Sequence, residues 1–504
     1  MWKSVEYVRD YLIRRLLGMK DKKIEIGLYD NIEDVNRWIS IYEGNPPWID
    51  EETTTRNLAD SIVAFISRKA TIEMVSNVVS KTEHKEGEEV IHLKGPRAKY
   101  LDTQYQRLVS RTRTIIEQTL VQGGAILKPY IDNGQINVEL VLPDRFIPIK
   151  FNNNGELVDV IFIDKIVKKG KVYTKLERHF IDGANYTITN TVHLGDGINS
   201  NGEITNEVSV DLIPEWAALD LRRELTIANL SVPLFTYIKN PTANNKDVRS
   251  PLGVSVLSRI EKLLRDYDVI YSNYLWEFEG STLQIAVPDG YVKEANLKGQ
   301  NAIAGTFDNF RGRRKEVLKR LYVKLDMDSL TSSETGLKIF SPEIREVEIN
   351  AGMEKILRMI EFNVGLGYGD LSKVADVEKT AEEIRAGKQT TYNTLVNIQD
   401  EITKAYTKIV EIMNIYIDLT DENGEPVLWL EDPTIKADQD EVEVTFYYDD
   451  SILNDKKNES QQLLDDVEAG RISTEFYLSK VYGVTFEQAQ AMMPQKPPTA
   501  EKEV

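Results

Sequence analysis

From Glu378 to Leu419 the chain runs without a proline, and from Leu395 its apolar positions fall at Leu395, Ile398, Ile402, Ala405, Ile409, Ile412, Tyr416 and Leu419. The steps alternate between three and four residues, which is an a/d seam of period 3.5. At 1.5 Å of rise per residue, a helix over this stretch is on the order of 60 Å long. That length exceeds what one ordinary globular core covers. The spacing therefore predicts an elongated subunit that packs side by side with copies of itself. Leu395, Ile398, Ile402 and Ile409 belong in the subunit core or at the subunit–subunit seam.

The rest of the composition narrows the class. The chain has 504 residues, enough for several domains, and 41% of them are hydrophobic, which supports a real core. There is no cysteine, so disulfides and thiolate metal sites are excluded and a reducing compartment is expected. The first residues, MWKSVEYVRDYLIRRLLGMKDKK, read as a charged amphipathic helix without the apolar run of a secretion signal. No segment reaches the roughly 18 apolar residues of a membrane span. These features predict a protein of cytosolic origin with no membrane partner. The net charge is −19, and Asp421 to Val504 carries 20 acidic against 7 basic residues. An acidic chain is poorly suited to wrapping DNA, because phosphates demand Lys and Arg. It is well suited to a surface that DNA must pass without sticking.

Periodicity and turn signals predict an α+β chain. Helices are expected at Ser4–Met19, Thr55–Lys69 and Tyr100–Gln122, the last stopped by Gly123 and Gly124. Ala125–Ile131 and Gln135–Val141 flank a hairpin turn, and Leu157–Ile166, Lys171–Phe180 and Tyr186–Leu194 extend an antiparallel meander. After the polar stretch Asn240–Ser250, Ser250 and Pro251 stand in the order that opens a helix, expected to run to Gly280. Short strands follow at Leu283–Val287 and Leu337–Phe340. Pro342 opens a helix to Gly365, and Gly365–Val377 is a Gly-rich connector to the long helix. Asp440–Tyr448 alternates as a strand, Ser451–Gly470 and Ser473–Met493 read as closing helices, and the tail from residue 494 has a disordered composition.

Several motifs suggest chemistry and fail on context. GLGYG at 365–369 follows a helix, whereas a dinucleotide loop follows a strand, so it reads as a connector. Gly387-Lys388 lacks the preceding glycine of a phosphate loop and lies inside a helix. Asp438, Asp440, Glu441 and Glu443 could mimic two-metal carboxylates, but Glu441 and Glu443 alternate with Val442, Val444 and Phe446 as a strand's solvent face. The four histidines show no zinc or triad spacing. No catalytic residue, metal or cofactor is expected. Arg311, Arg313, Arg314 and Lys315 form the densest basic patch and are the candidates for contact with DNA or a partner.

The order of these elements resembles the portal (connector) proteins of tailed bacteriophages, of the siphovirus type. Lys239-Asn240-Pro241 and Ser250-Pro251-Leu252-Gly253-Val254-Ser255 lead into a helix ending Tyr274-Leu275-Trp276-Glu277-Phe278. Pro342–Gly369 is followed by Lys379-Thr380-Ala381-Glu382-Glu383-Ile384. Val444-Thr445-Phe446, Asp449-Asp450-Ser451-Ile452 and Ala469-Gly470-Arg471-Ile472-Ser473 complete the set. The match runs in order from about Lys239 to Ser473, and the region before it fits more loosely.

The resemblance implies an elongated multi-domain subunit. Residues 1–249 would be a wing of helices and antiparallel sheet, 250–279 and 342–366 two stem helices, and 280–341 the clip between them. Residues 367–377 would form a tunnel loop. The long helix would cover 378–420, a wing strand segment 421–449, and a helical crown 450–493. The loop residues are Tyr368, Asp370, Leu371, Ser372, Lys373, Val374, Ala375 and Asp376, expected to be mobile and to project into a channel. The resemblance further implies a homo-oligomeric ring, commonly of twelve, at one vertex of the virion's capsid, assembled in the host cytoplasm. Double-stranded DNA would pass through it, and terminase, head–tail adaptor, major capsid and scaffolding proteins would be its partners. Two other classes remain open: a non-viral oligomeric scaffold, or a metal-dependent nuclease using Asp438 and Asp440.

Overall fold

The computed structural model describes residues 32–72, 74–80, 95–132, 134–195, 204–209, 213–217, 224–280, 284–288, 322–325, 338–340, 343–372, 381–420 and 426–448, with scattered positions between 463 and 478. Its spine is the long helix Ala381–Asp418. From Ile398 onward this helix buries Ile398, Ile402, Ala405, Tyr406, Ile409, Val410, Ile412, Met413 and Ile417. That face is wider than an a/d stripe, and a wide face is the mark of a helix covered on several sides. The covering elements belong to the same subunit. Val35, Trp38, Ile62, Ile66, Leu101, Tyr105, Ile115 and Ile116 share one core with it. Side-by-side packing of copies is thus not what buries this half of the helix.

Those covering residues lie on four helices: α1 (Ile32–Tyr42), α2 (Leu58–Thr71), α3 (Pro96–Val109) and α4 (Thr112–Gln122). The single helix expected over Tyr100–Gln122 is two. Arg111 leaves helical geometry at φ −103°, ψ 0°. On either side of it the hydroxyls of Ser110 and Thr112 bond back to the carbonyls of Arg107 and Val109. Such hydroxyls offer the backbone an alternative to the helical ladder.

Strands β2 (Gly124–Asp132) and β3 (Gln135–Val141) form the expected hairpin, and β10 (Thr236–Lys239) joins on the far side of β2. A second sheet takes the order β4-β5-β6-β7-β8, from Phe146–Phe151, Leu157–Lys168, Lys171–Asp182, Asn185–Gly195 and Ile204–Val208, with β9 (Glu224–Ile227) also paired to β7. Phe146, Val160, Phe162 and Phe235 pack a smaller core between the two sheets.

Beyond β10 the chain crosses back under α4. The helix expected from Pro251 starts later. Ser255 caps a short 3-10 turn, Val256–Arg259, by accepting a hydrogen bond from the Leu257 N–H, and α6 follows over Glu261–Gly280. Residues 251–254 stay extended because Gly253 passes directly against Gly123, where a Cβ would strike the opposing backbone. A three-stranded sheet, β12-β11-β13, comes next, from Gln284–Pro288, Tyr322–Leu325 and Lys338–Phe340, with β11 and β12 parallel. Helix α7 (Glu346–Val364) then packs along α6. The long helix is α8, the four-residue turn Pro214–Ala217 being α5. Finally α9 (Pro433–Ala437) leads to β14 (Val442–Tyr448). β14 pairs antiparallel with β1 (Met74–Ser80), some 360 residues earlier. Among the described residues no helix is long and apolar enough to cross a membrane.

Candidate functional site

The elements that sequence reasoning singled out converge where α7 turns into α8. Helix α7 buries Ile356, Ile360, Val364 and the carboxylic acid Glu361, which is 1% exposed. A buried carboxylate needs donors. Glu361 Oε1 accepts from the main-chain N–H groups of Gly369 at 3.1 Å, Leu371 at 2.6 Å and Ser372 at 2.8 Å. Its Oε2 accepts from the Ser372 hydroxyl at 2.8 Å. Four donors of the connector thus close on one side chain of the helix they follow.

The glycines make this fold-back possible. Gly365 ends α7 in the left-handed region at φ +75°, with the Leu366 N–H returning to the Glu361 carbonyl at 2.8 Å. A Cβ at Gly365 would strike the hydroxyl of Thr394 on α8. That hydroxyl donates to the Gly365 carbonyl at 2.7 Å. Gly369 sits at φ +98°. The Gly367 N–H donates to Thr391 Oγ1 at 2.7 Å and to Asp370 Oδ2 at 3.1 Å. The Thr391 hydroxyl in turn donates to Asp370 Oδ2, and Lys69 of α2 reaches Asp370 Oδ1 at 3.3 Å. The Arg358 guanidinium lies 4.7 Å from the centre of the Tyr368 ring. Tyr368, Asp370, Leu371 and Ser372 are therefore held to α7, α8 and α2. The expectation of a mobile loop beginning at Tyr368 is corrected: the glycines here shape a tight turn instead of loosening the chain. Lys373, Val374, Ala375 and Asp376 lie outside the described residues.

Along the stem pair the outer surface is apolar. Trp276 is 66% exposed, Val347 77% and Phe362 85%, with Leu275, Phe278 and Met359 also exposed. On α7 the exposed residues Val347, Ala351, Met359 and Phe362 follow helical spacing, interrupted by Lys355 and Arg358. Arg345 at the start of α7 pairs with Glu277 of α6, which fixes the two helices in register.

The basic residues Arg311, Arg313, Arg314 and Lys315 lie outside the described residues. Of the seam positions, Ile398, Ile402 and Ile409 are buried and Leu395 packs partly against the same core. Asp438 is occupied. Its Oδ2 accepts the Arg97 N–H at 3.1 Å, capping α3 from a distant part of the chain, and its Oδ1 accepts the Asp440 N–H at 3.1 Å. The Arg97 guanidinium also binds Asp418 and Asn414 at the end of α8. Among the described residues no group of His, Asp and Glu is arranged to hold a metal ion.

Sequence reasoning missed two clusters. Glu361 carried a usable signal, because Leu357, Ile360 and Val364 put it inside the apolar face of its own helix. The second cluster lies in the large sheet. Glu177 bonds Lys128, Lys175 and His179 in a site closed to water. Burial works to raise its carboxyl, but Lys128, His179 and Lys175 together hold it well below the usual carboxylate range. Burial and the two lysines push His179 below its ordinary value despite Glu177. The Tyr186 hydroxyl bonds His179 Nδ1 at 2.6 Å and also accepts the Leu234 N–H. A hydroxyl that accepts there donates to Nδ1, so His179 is neutral and its Nε2–H donates to Glu177. With its residues this deeply buried, the cluster is structural.

A family model described as "Phage portal protein, SPP1 Gp6-like" matches residues 28–497, nearly the whole chain. No curated protein matches the chain.

Proposed function

Since the chain belongs to the SPP1 Gp6-like phage portal family, we propose that it assembles into a closed ring at one vertex of the capsid, through which double-stranded DNA is packaged and ejected. The observation that carries the reading beyond family membership is the apolar outer surface of α6 and α7. Trp276, Val347, Met359 and Phe362 stand exposed in a chain with net charge −19. Exposed apolar area of this kind marks an interaction surface, and a neighbouring copy in a ring supplies the cover. Residues 250–279 and 342–366 are then the stem and residues 280–341 the clip. The clip would meet the terminase during packaging and the head–tail adaptor afterwards, with Arg311, Arg313, Arg314 and Lys315 as its contacts to phosphates or partner. The acidic balance suits a channel that DNA slides through. The role is that of a conduit, with force supplied by a separate motor.

Electron microscopy of the purified protein tests the ring: closed particles with an axial hole are expected, and a monomer or an open filament overturns the reading. Trp276→Glu with Phe362→Asp should leave the subunit folded, because both side chains stand in solvent, and should abolish rings. Replacing Arg311, Arg313 and Arg314 by Ala should leave rings intact and stop packaging. Packaging at the normal rate by that variant removes the clip assignment.

A further inference from the structure

We infer that the outer edge of β14 accepts an extended segment from a neighbouring copy of this chain, which adds a third strand to the β1–β14 ribbon. The inference rests on the ring reading above. Among the described residues this sheet has two strands, with Met74↔Tyr448 through Ser80↔Val442 paired in continuous register. Its two outer edges are treated differently. On β1 the Val78 N–H donates to Asp102 Oδ1 at 2.9 Å and the Ser76 carbonyl accepts from Gln106 Nε2 at 2.9 Å. Side chains of α3 thus close that edge.

The same contacts set the parity of the ladder. Ser76 and Val78 turn their main-chain groups away from β14, so their cross-strand partners Phe446 and Val444 turn theirs away from β1. No hydrogen bond closes the N–H and C=O groups of Val444 and Phe446 among the described residues. The side chains of Val442, Val444 and Phe446 pack inward on the core. The edge is therefore held in place and open.

It is also unguarded. Proteins blunt a free edge with proline, lysine or a bulge. Strand β4, at the rim of the large sheet, has Pro148 and two register shifts, and the β7–β8 pairing shifts at Leu194/Gly195. β14 reads Val-Glu-Val-Thr-Phe-Tyr-Tyr, β-branched and aromatic, with no shift and no basic residue. Its solvent face adds an apolar end in which Tyr447 lies opposite Val75 with Ile72 nearby, each more than half exposed. Such an edge invites pairing with another strand. A ring holds a copy of the same chain beside every subunit, and this constant neighbour is the occupant that the missing guard tolerates.

The experiment is a reconstruction of the ring by cryo-electron microscopy, paired with residue-resolved hydrogen exchange on ring and monomer fractions. A strand from the adjacent copy is expected about 4.8 Å from β14. The Val444 and Phe446 amides should exchange at least tenfold more slowly in rings than in monomers. Those of Thr445 and Tyr447, bonded to β1 in either state, should change little. Tyr447→Lys, on the exposed face, should fold normally and weaken ring assembly. A ring whose β14 edge faces solvent, or is covered by a different protein, overturns the inference and leaves the ring reading standing. A chain that never closes into rings overturns both.

Discussion

Replacing Glu361 tests whether the connector after α7 is built on one carboxylate. Glu361→Ala removes the acceptor for three main-chain N–H groups and the Ser372 hydroxyl. Hydrogen bonds to a charged group contribute about 1.5–3 kcal/mol each, so simple addition would give more than a typical substitution costs. The sum is not reached, because the connector sits at the surface end of α7 and its freed amides can turn to water. The expected loss is about 3–5 kcal/mol, at the diagnostic end of single-substitution effects. Glu361→Gln keeps the oxygen that serves the three amides and loses only the charge and the Ser372 donor geometry, which predicts about 1–2 kcal/mol. Ser372→Ala removes one bond of the four and should cost about 1 kcal/mol. Denaturant midpoints order the three variants, and hydrogen exchange at Gly369, Leu371 and Ser372 locates the change. An alanine variant with the wild-type midpoint and unchanged exchange at those amides would refute the role given to Glu361.

Ile402→Asp places an uncompensated charge at a fully buried point of the subunit core, costing several kcal/mol or about 3–5; the purified variant should be unfolded by circular dichroism, and a folded monomer would show that the core yields there. Gly365→Ala forces a side chain into the left-handed region and against Thr394, and should lower stability by about 2 kcal/mol, read as a drop in the thermal midpoint. The buried histidine sets a pH dependence. His179 is lower in the fold than its ordinary value of about 6.5, so the unfolded chain binds the extra proton first, and the sheet loses stability as pH falls below about 6.5, by up to 1.36 kcal/mol per pH unit. Glu177, held low, adds a further loss only in the acid range below about pH 4.5, as pH falls toward its folded value. Thermal midpoints of wild type and His179→Gln between pH 7 and 5 check this; parallel curves would mean that His179 is not held neutral.

Local chemistry made much of the fold legible in the sequence. The hairpin around Gly134 and the meander of β5, β6 and β7 came within one to three residues, because turn glycines and period-two alternation are written in neighbouring positions. The long helix was legible for the same reason, as was the order of elements that places the chain in its family. What covers that helix was not. A period of 3.5 describes which side chains share a face, and it is silent on whether a second copy or the subunit's own α1 to α4 lies against them. The same gap explains the connector: three glycines read as freedom until Glu361, Thr391, Thr394 and Lys69 are known to meet them. Asp438 looked like a metal ligand until Arg97, 341 residues away, claimed it. The sequence by itself determined the elements, their order and the absence of cysteine chemistry, since these depend on residues a few positions apart. Only the tertiary structure decided which charges are neutralised, which glycine must be glycine and which strand edge stays open, because each depends on groups the chain brings together from hundreds of residues apart.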